Sequence, residues 1–181
     1  DIEQKNSQIL WLATDSGVVK VNVTTQNFNF YLPQPASGNQ AFVRIKAVGN
    51  KIWAASAFHG LWKFNGFVWT NFNEQNGLAS DTIYDFDISA NGHLWIATGR
   101  GISEFDGNSF TTHNPFSYKK ISAICTYGDT IFAGNITSGE PIKKYSNGTW
   151  QSLPNTALAA NGTTSLKVST DGKLHATTKN G

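Results

Sequence analysis

Few residues in this chain have types that could do chemistry, and they are scattered. Four histidines, His59, His93, His113 and His175, stand at unlike positions, and no carboxylate pair accompanies them at metal-ligand spacing. Asp85 and Asp87 alternate along one strand-like run and so share a face. Two such acids can serve as general acid and base, or they can simply accept hydrogen bonds. Cys125, the only cysteine, lies in the apolar run Ile121-Ser-Ala-Ile-Cys-Thr-Tyr127 and reads as a small core residue. One thiol makes neither an intramolecular disulfide nor a Cys-rich metal site. No Gly-x-Ser-x-Gly, phosphate loop or zinc motif occurs. The sequence therefore implies no catalytic residue, no metal and no cofactor.

The elements that must position these residues follow from composition and period. Charged residues are only 14% of the 181, and Asn, Ser, Thr and Gly take their place, which favours turns and strands over helices. Aromatics at 13% exclude a disordered chain. No apolar run approaches the ~20 residues of a transmembrane helix. The net charge of +2 comes with just two arginines and no basic cluster, so a nucleic-acid partner is not expected.

Three segments are near copies: Ile9-Leu-Trp-Leu-Ala-Thr14, Lys51-Ile-Trp-Ala-Ala-Ser56 and His93-Leu-Trp-Ile-Ala-Thr98. Trp11, Trp53 and Trp95 stand 42 residues apart. Two degenerate copies put Phe132 and His175 in the same slot. A glycine follows each of the first four segments (Gly17, Gly60, Gly101, and Gly139 in copy four); in copies two to four a short strand with an Asn-Gly or Asp-Gly turn comes next, then another strand. Each unit thus reads as four short antiparallel strands in ~42 residues, the pattern of a β-propeller blade. The expected architecture is all-β: four four-stranded blades plus a hairpin of a fifth. The blades fall near 1–31, 41–72, 82–113, 119–153 and 164–181 of one partial propeller domain, 1–181. The second strands are expected at 8–14, 51–56, 93–98, 130–135 and 173–178.

A residue that recurs at the structural period is packing, so Trp11, Trp53 and Trp95 should fill wedges between blades. A ligand site instead needs residues that differ between blades. The turns after the second strands carry Asp15-Ser16, Phe58-His59, Gly99-Arg100 and Thr137-Ser138, and longer connections run over 32–39, 73–80, 114–118 and 154–161. His59 and Arg100 hold matching positions, and Arg presents a planar fork to carboxylates or sugar hydroxyls. Phe58, Arg44 and Lys46 complete the candidate ligand-binding set; Arg44 and Lys46 sit on a first, innermost strand where they could line a channel.

The units contain Trp-Leu/Ile-Ala-Thr-x-x-Gly-Val/Ile, Phe-Asp/Asn-Gly-x-x-Phe/Trp and Asn-Gly-Leu-x-Ser-x-x-Ile, clearest from Asn76 to Thr98. This pattern resembles the two-component regulator propeller repeat. The resemblance implies seven-bladed rings, exported to the periplasm or the outer surface of Bacteroidetes-type bacteria. It implies a non-catalytic module: the sensor half of a hybrid two-component system that detects a carbohydrate or, alternatively, a type IX secretion-associated propeller binding a protein. A polysaccharide or streptogramin lyase-like activity and a purely structural spacer are the remaining alternatives. In that setting the Asp-Thr-Ile triplets at Asp81 and Asp129 make Thr82 and Thr130 candidate O-glycosylation sites. Four Asn-x-Ser/Thr sequons, at Asn22, Asn135, Asn147 and Asn161, read as accidents of composition. The end blades should be covered by further blades of a longer chain or by a second copy, at ~50° per blade for a seven-bladed ring left open.

Overall fold

The computed structural model describes residues 1–32, 41–117, 119–137, 139–154 and 162–179. They form four-stranded antiparallel meanders, each strand hydrogen-bonded to the next in sequence. Sheet one holds β1 (Ile2–Gln4), β2 (Ile9–Thr14), β3 (Gly17–Asn22) and β4 (Asn27–Tyr31). Sheet two holds β5 (Phe42–Val48), β6 (Lys51–Ser56), β7 (Leu61–Phe64) and β8 (Trp69–Phe72). Sheet three holds β9 (Ile83–Ile88), β10 (Leu94–Thr98), β11 (Gly101–Phe105) and β12 (Phe110–His113). Sheet four holds β13 (Ile121–Tyr127), β14 (Thr130–Asn135), β15 (Lys143–Ser146) and β16 (Thr149–Ser152). A hairpin, β17 (Thr163–Val168) and β18 (Leu174–Thr178), follows. The second strands fall within a residue or two of the periodic Trp segments. The only helical turn among the described residues is a short 3-10 turn, Glu74–Asn76.

The chain divides into two compact units, Asp1–Asn76 with Asp81–Ile83, and Gly77–Ser80 with Tyr84–Gly181. In the first, the Trp11 face of sheet one packs on sheet two: Trp11, Ala13 and Val18 meet Ile45, Ile52, Ala54, Trp62 and Phe64. In the second, Trp95, Ala97 and Ile102 pack on Ile121, Ile124, Ile131 and Ala133 of sheet four. Sheet four packs in turn on Leu166, Val168, Leu174 and Ala176 of the hairpin. Alternation along each strand creates these faces, because successive side chains point to opposite sides.

Carboxylates tie the first strands of neighbouring sheets together. Asp1 Oδ2 accepts the Ile45 N–H at 3.0 Å and Glu3 Oε1 accepts that of Ala47 at 3.1 Å. Asp85 Oδ2 accepts the Ile124 N–H at 3.1 Å and Asp87 Oδ2 that of Thr126 at 2.8 Å. Each acid thereby satisfies a backbone donor that its own sheet leaves unpaired.

The glycine after the second strand has a steric cause. Gly60 lies at φ +74° and Gly101 at φ +115°, and a Cβ there would strike the carbonyl oxygens of Phe72 and His113 respectively. Gly17 meets the carbonyl of Tyr31 in the same way. The fourth copy departs: Gly139 has positive φ but open space around it.

Candidate functional site

The turns after the second strands share one frame. The last residue of the strand caps the turn with its side chain: Thr14 Oγ1 accepts the Ser16 N–H at 3.3 Å, and Thr98 Oγ1 accepts that of Arg100 at 3.2 Å. Ser56 Oγ accepts the N–H groups of Phe58 at 3.3 Å and His59 at 3.2 Å. Asn135 Oδ1 accepts that of Thr137 at 2.9 Å. This cap is a repeated residue that the sequence reading passed over, although Ala-Thr, Ala-Ser and Gly-Asn end the copies in register. It fixes the backbone and leaves the displayed side chains to vary.

In the first unit, Phe58 is exposed and His59 half-buried on such a turn, and Asn71 Nδ2 holds the His59 carbonyl at 2.8 Å. Arg44 pairs with Asp1 at 3.6 Å, and Lys46 stands opposite Trp53 in the β5–β6 register. In the second unit, Arg100 is exposed on the equivalent turn. Of the candidate loops, residues 33–40, 118, 138 and 155–161 lie outside the described residues, and so does the sequon at Asn161. Asn135 is 1% exposed with its side chain capping a turn, so that sequon is buried. Thr82 and Thr130 are half-buried.

The structure brings two of the four scattered histidines together. Within sheet three, Glu104 stands directly opposite Trp95 and diagonally between two rings: His93 Nδ1 lies 2.7 Å from Oε1, and His113 Nε2 lies 2.9 Å from Oε2. Trp150 of sheet four donates its indole N–H to His113 Nδ1 at 3.4 Å. Indole is a donor only, so His113 carries its ring proton on Nε2 and gives it to Glu104. Trp95, Tyr145 and Trp150 pack around the His113 ring at centroid distances of 5.0, 5.3 and 6.1 Å. Both carboxylate oxygens are thus engaged, and no group of three or more His, Cys, Asp or Glu is arranged to hold a metal among the described residues. The signal lay in the residue opposite each slot aromatic: Lys20, Lys63 and Lys144 in three sheets, but Glu104 in the third. Lys20 and Lys63 lie over Trp11 and Trp53 as cations. Glu104 replaces that cation with an acid and recruits two histidines.

No family model and no characterised protein sequence matches the chain. Solved structures do. The extracellular domain of the BT4673 one component system from B. thetaiotaomicron aligns with TM-score 0.78 and 21% identity, over 100% of this chain and 25% of that one. The extracellular domain of the hybrid two component system BT3049 from the same organism gives 0.72 and 19%, over 97% and 25%. PorZ, a surface component of the type-IX secretion system of Porphyromonas gingivalis, gives 0.59 and 16%, over 94% and 28%. This is the β-propeller fold. The four meanders are its blades and the last hairpin begins another, matching the expected all-β architecture. The chain spans about a quarter of the length of the proteins it resembles. No helix among the described residues is long and apolar enough to cross a membrane.

Proposed function

We propose that this chain is a ligand-binding propeller module, not an enzyme, and forms part of the extracytoplasmic sensor region of a hybrid two-component system that recognises a carbohydrate. The observation that carries this reading is the turn after each second strand. Its backbone frame repeats from blade to blade, whereas its displayed residues, Asp15-Ser16, Phe58-His59 and Gly99-Arg100, do not. A rigid scaffold presenting unlike side chains on loops is how binding proteins build specificity. The likeness to extracellular domains of such systems supports the same reading. The acids that could have served catalysis, Asp85 and Asp87, accept backbone hydrogen bonds instead.

The test is glycan-array binding by the intact chain beside Arg100→Ala and His59→Ala. Retention of a defined glycan class that either substitution abolishes is the expected result. Retention of no glycan, or binding untouched by both changes, overturns it. The likeness to PorZ favours a second reading, a surface protein of type IX secretion. It predicts an empty glycan array and a stable complex with another surface protein on affinity chromatography.

The face of the first blade turned away from Trp11 belongs to the same proposal. On the second blade, the corresponding side is covered by a Trp-bearing blade face. By the repeat, the first blade's own outward side takes another blade of this type in the full-length protein, about three more completing a seven-bladed ring.

A further inference from the structure

The first blade holds a cavity of about 220 Å3 beside the turn between β3 and β4, lined by Ile9, Lys20, Asn22, Thr25, Asn27 and Asn29. It lies at the end of β3 opposite the Asp15-Ser16 turn, so it is separate from the loop set just considered. Register places the lining on two adjacent rows of one sheet face. Ile9, Asn22 and Asn27 form one row, and Lys20 and Asn29 the next.

Each lining group has a definite capacity. The Asn22 carbonyl is used by the N–H groups of Thr24 at 3.0 Å and Thr25 at 3.1 Å, which leaves its NH2 as a donor. The side-chain amides of Asn27 and Asn29 make no hydrogen bond among the described residues and offer both donors and acceptors. Lys20 Nζ stands 5.9 Å from the Trp11 ring centroid, where the indole fixes its position. No carboxylate lines the cavity. Ile9 supplies one apolar wall.

The same corner of the third blade shows what a closed version looks like. There the equivalent positions are His93, Glu104, Asp106, Ser109 and Thr111. His93 bonds to Glu104 at 2.7 Å, and Ser109 donates its N–H to Asp106 at 2.8 Å, so the corner satisfies itself. In the first blade the corner is open and amide-rich, and its lining carries one cation and no acid.

We propose that this cavity binds the ring of an acidic monosaccharide, a pyranose bearing one carboxylate. The carboxylate meets Lys20 Nζ, the hydroxyls meet the amides of Asn22, Asn27 and Asn29, and the C–H face of the ring lies on Ile9. The volume is that of about one sugar ring, so the contacts described are with a single residue of the ligand.

Calorimetric titration of the intact chain with glucuronate, glucose and acetate tests it. Glucuronate should bind, with glucose and acetate each weaker by about tenfold or more, the loss expected for one charge-assisted hydrogen bond or for the hydroxyl contacts. Lys20→Met keeps the stem over Trp11 and should bring glucuronate down to the level of glucose. Asn27→Ala with Asn29→Ala should abolish both. These side chains are exposed or half-buried, so the variants should retain the parent melting temperature, which is measured alongside. Equal binding of acetate and glucuronate, or glucuronate binding unchanged in Asn27→Ala/Asn29→Ala, overturns the site. Binding lost in His59→Ala but kept in the asparagine variants would leave the loop reading standing and this one refuted.

Discussion

Trp95 shows how one side chain links sequence period to stability. It is 2% exposed and packs on Tyr145 and Trp150 of the next blade, at 5.0 and 6.2 Å between centroids. Truncating a buried aromatic removes both its transfer energy and its packing contacts, so Trp95→Ala should cost ~3–5 kcal/mol in denaturant unfolding. An unchanged unfolding midpoint would show that the indole does not act as the wedge. Asp106 makes a subtler case. N–H groups of Ser109 and Asn108 on its carboxylate hold its pKa below the usual 3.8. A carboxyl depressed on folding stabilises the protein fully above its unfolded pKa, and that contribution fades as pH falls through the folded value. Asp106→Asn should therefore lower neutral-pH stability slightly and flatten the decline below about pH 4. Asn65 already makes the same pair of bonds with an amide in the second blade, at 2.9 and 3.0 Å. Melting curves from pH 2 to pH 7 for both chains check this; parallel acid limbs would refute it.

At the scale of elements, the acids on the first strands decide between catalysis and scaffolding. Asp85 is 3% exposed and receives the Ile124 N–H from the neighbouring blade. Removing it strands a buried donor, so Asp85→Ala should cost ~1–3 kcal/mol, read as a lower denaturation midpoint. A variant as stable as the parent would contradict that role. The strands themselves were legible in the sequence because Trp11, Trp53 and Trp95 repeat a burial requirement at constant spacing. The glycine after each turn was legible for a like reason, since a Cβ would meet the outer strand's carbonyl. The His93–Glu104–His113 chain was not. It depends on the register that sets Glu104 opposite Trp95 and diagonal to both rings, and it joins residues 9 and 11 apart, on β11, on β12 and just before β10. No local spacing rule encodes such a constellation. Only the change from lysine to glutamate opposite the slot aromatic hinted at it. The turn caps at Thr14, Ser56, Thr98 and Asn135 were equally periodic, but their hydroxyls and amide look like ordinary strand ends until the turn hydrogen bonds are seen.

For the molecule as a whole, the first blade's outward face sets the behaviour in solution. Ile2, Leu10, Leu12, Val19, Val21, Phe28 and Phe30 share it by register, with Ile2 63%, Phe28 71% and Phe30 50% exposed. Such a continuous apolar sheet face seeks cover, and a net charge of +2 over 181 residues offers little repulsion against association. The isolated chain should therefore self-associate as its concentration rises. Because the contact is apolar, the association should persist in high salt, where charge-driven contacts are screened. Phe28→Lys together with Phe30→Lys places two like charges on the face while touching none of the core residues around Trp11. Sedimentation velocity should then show the parent's weight-average mass climbing with concentration and the double variant remaining monomeric at an unchanged melting temperature. A parent that stays monomeric across the same range, or a double variant that associates equally, would mean this face does not govern assembly and that its proposed cover by a further blade lacks a physical basis.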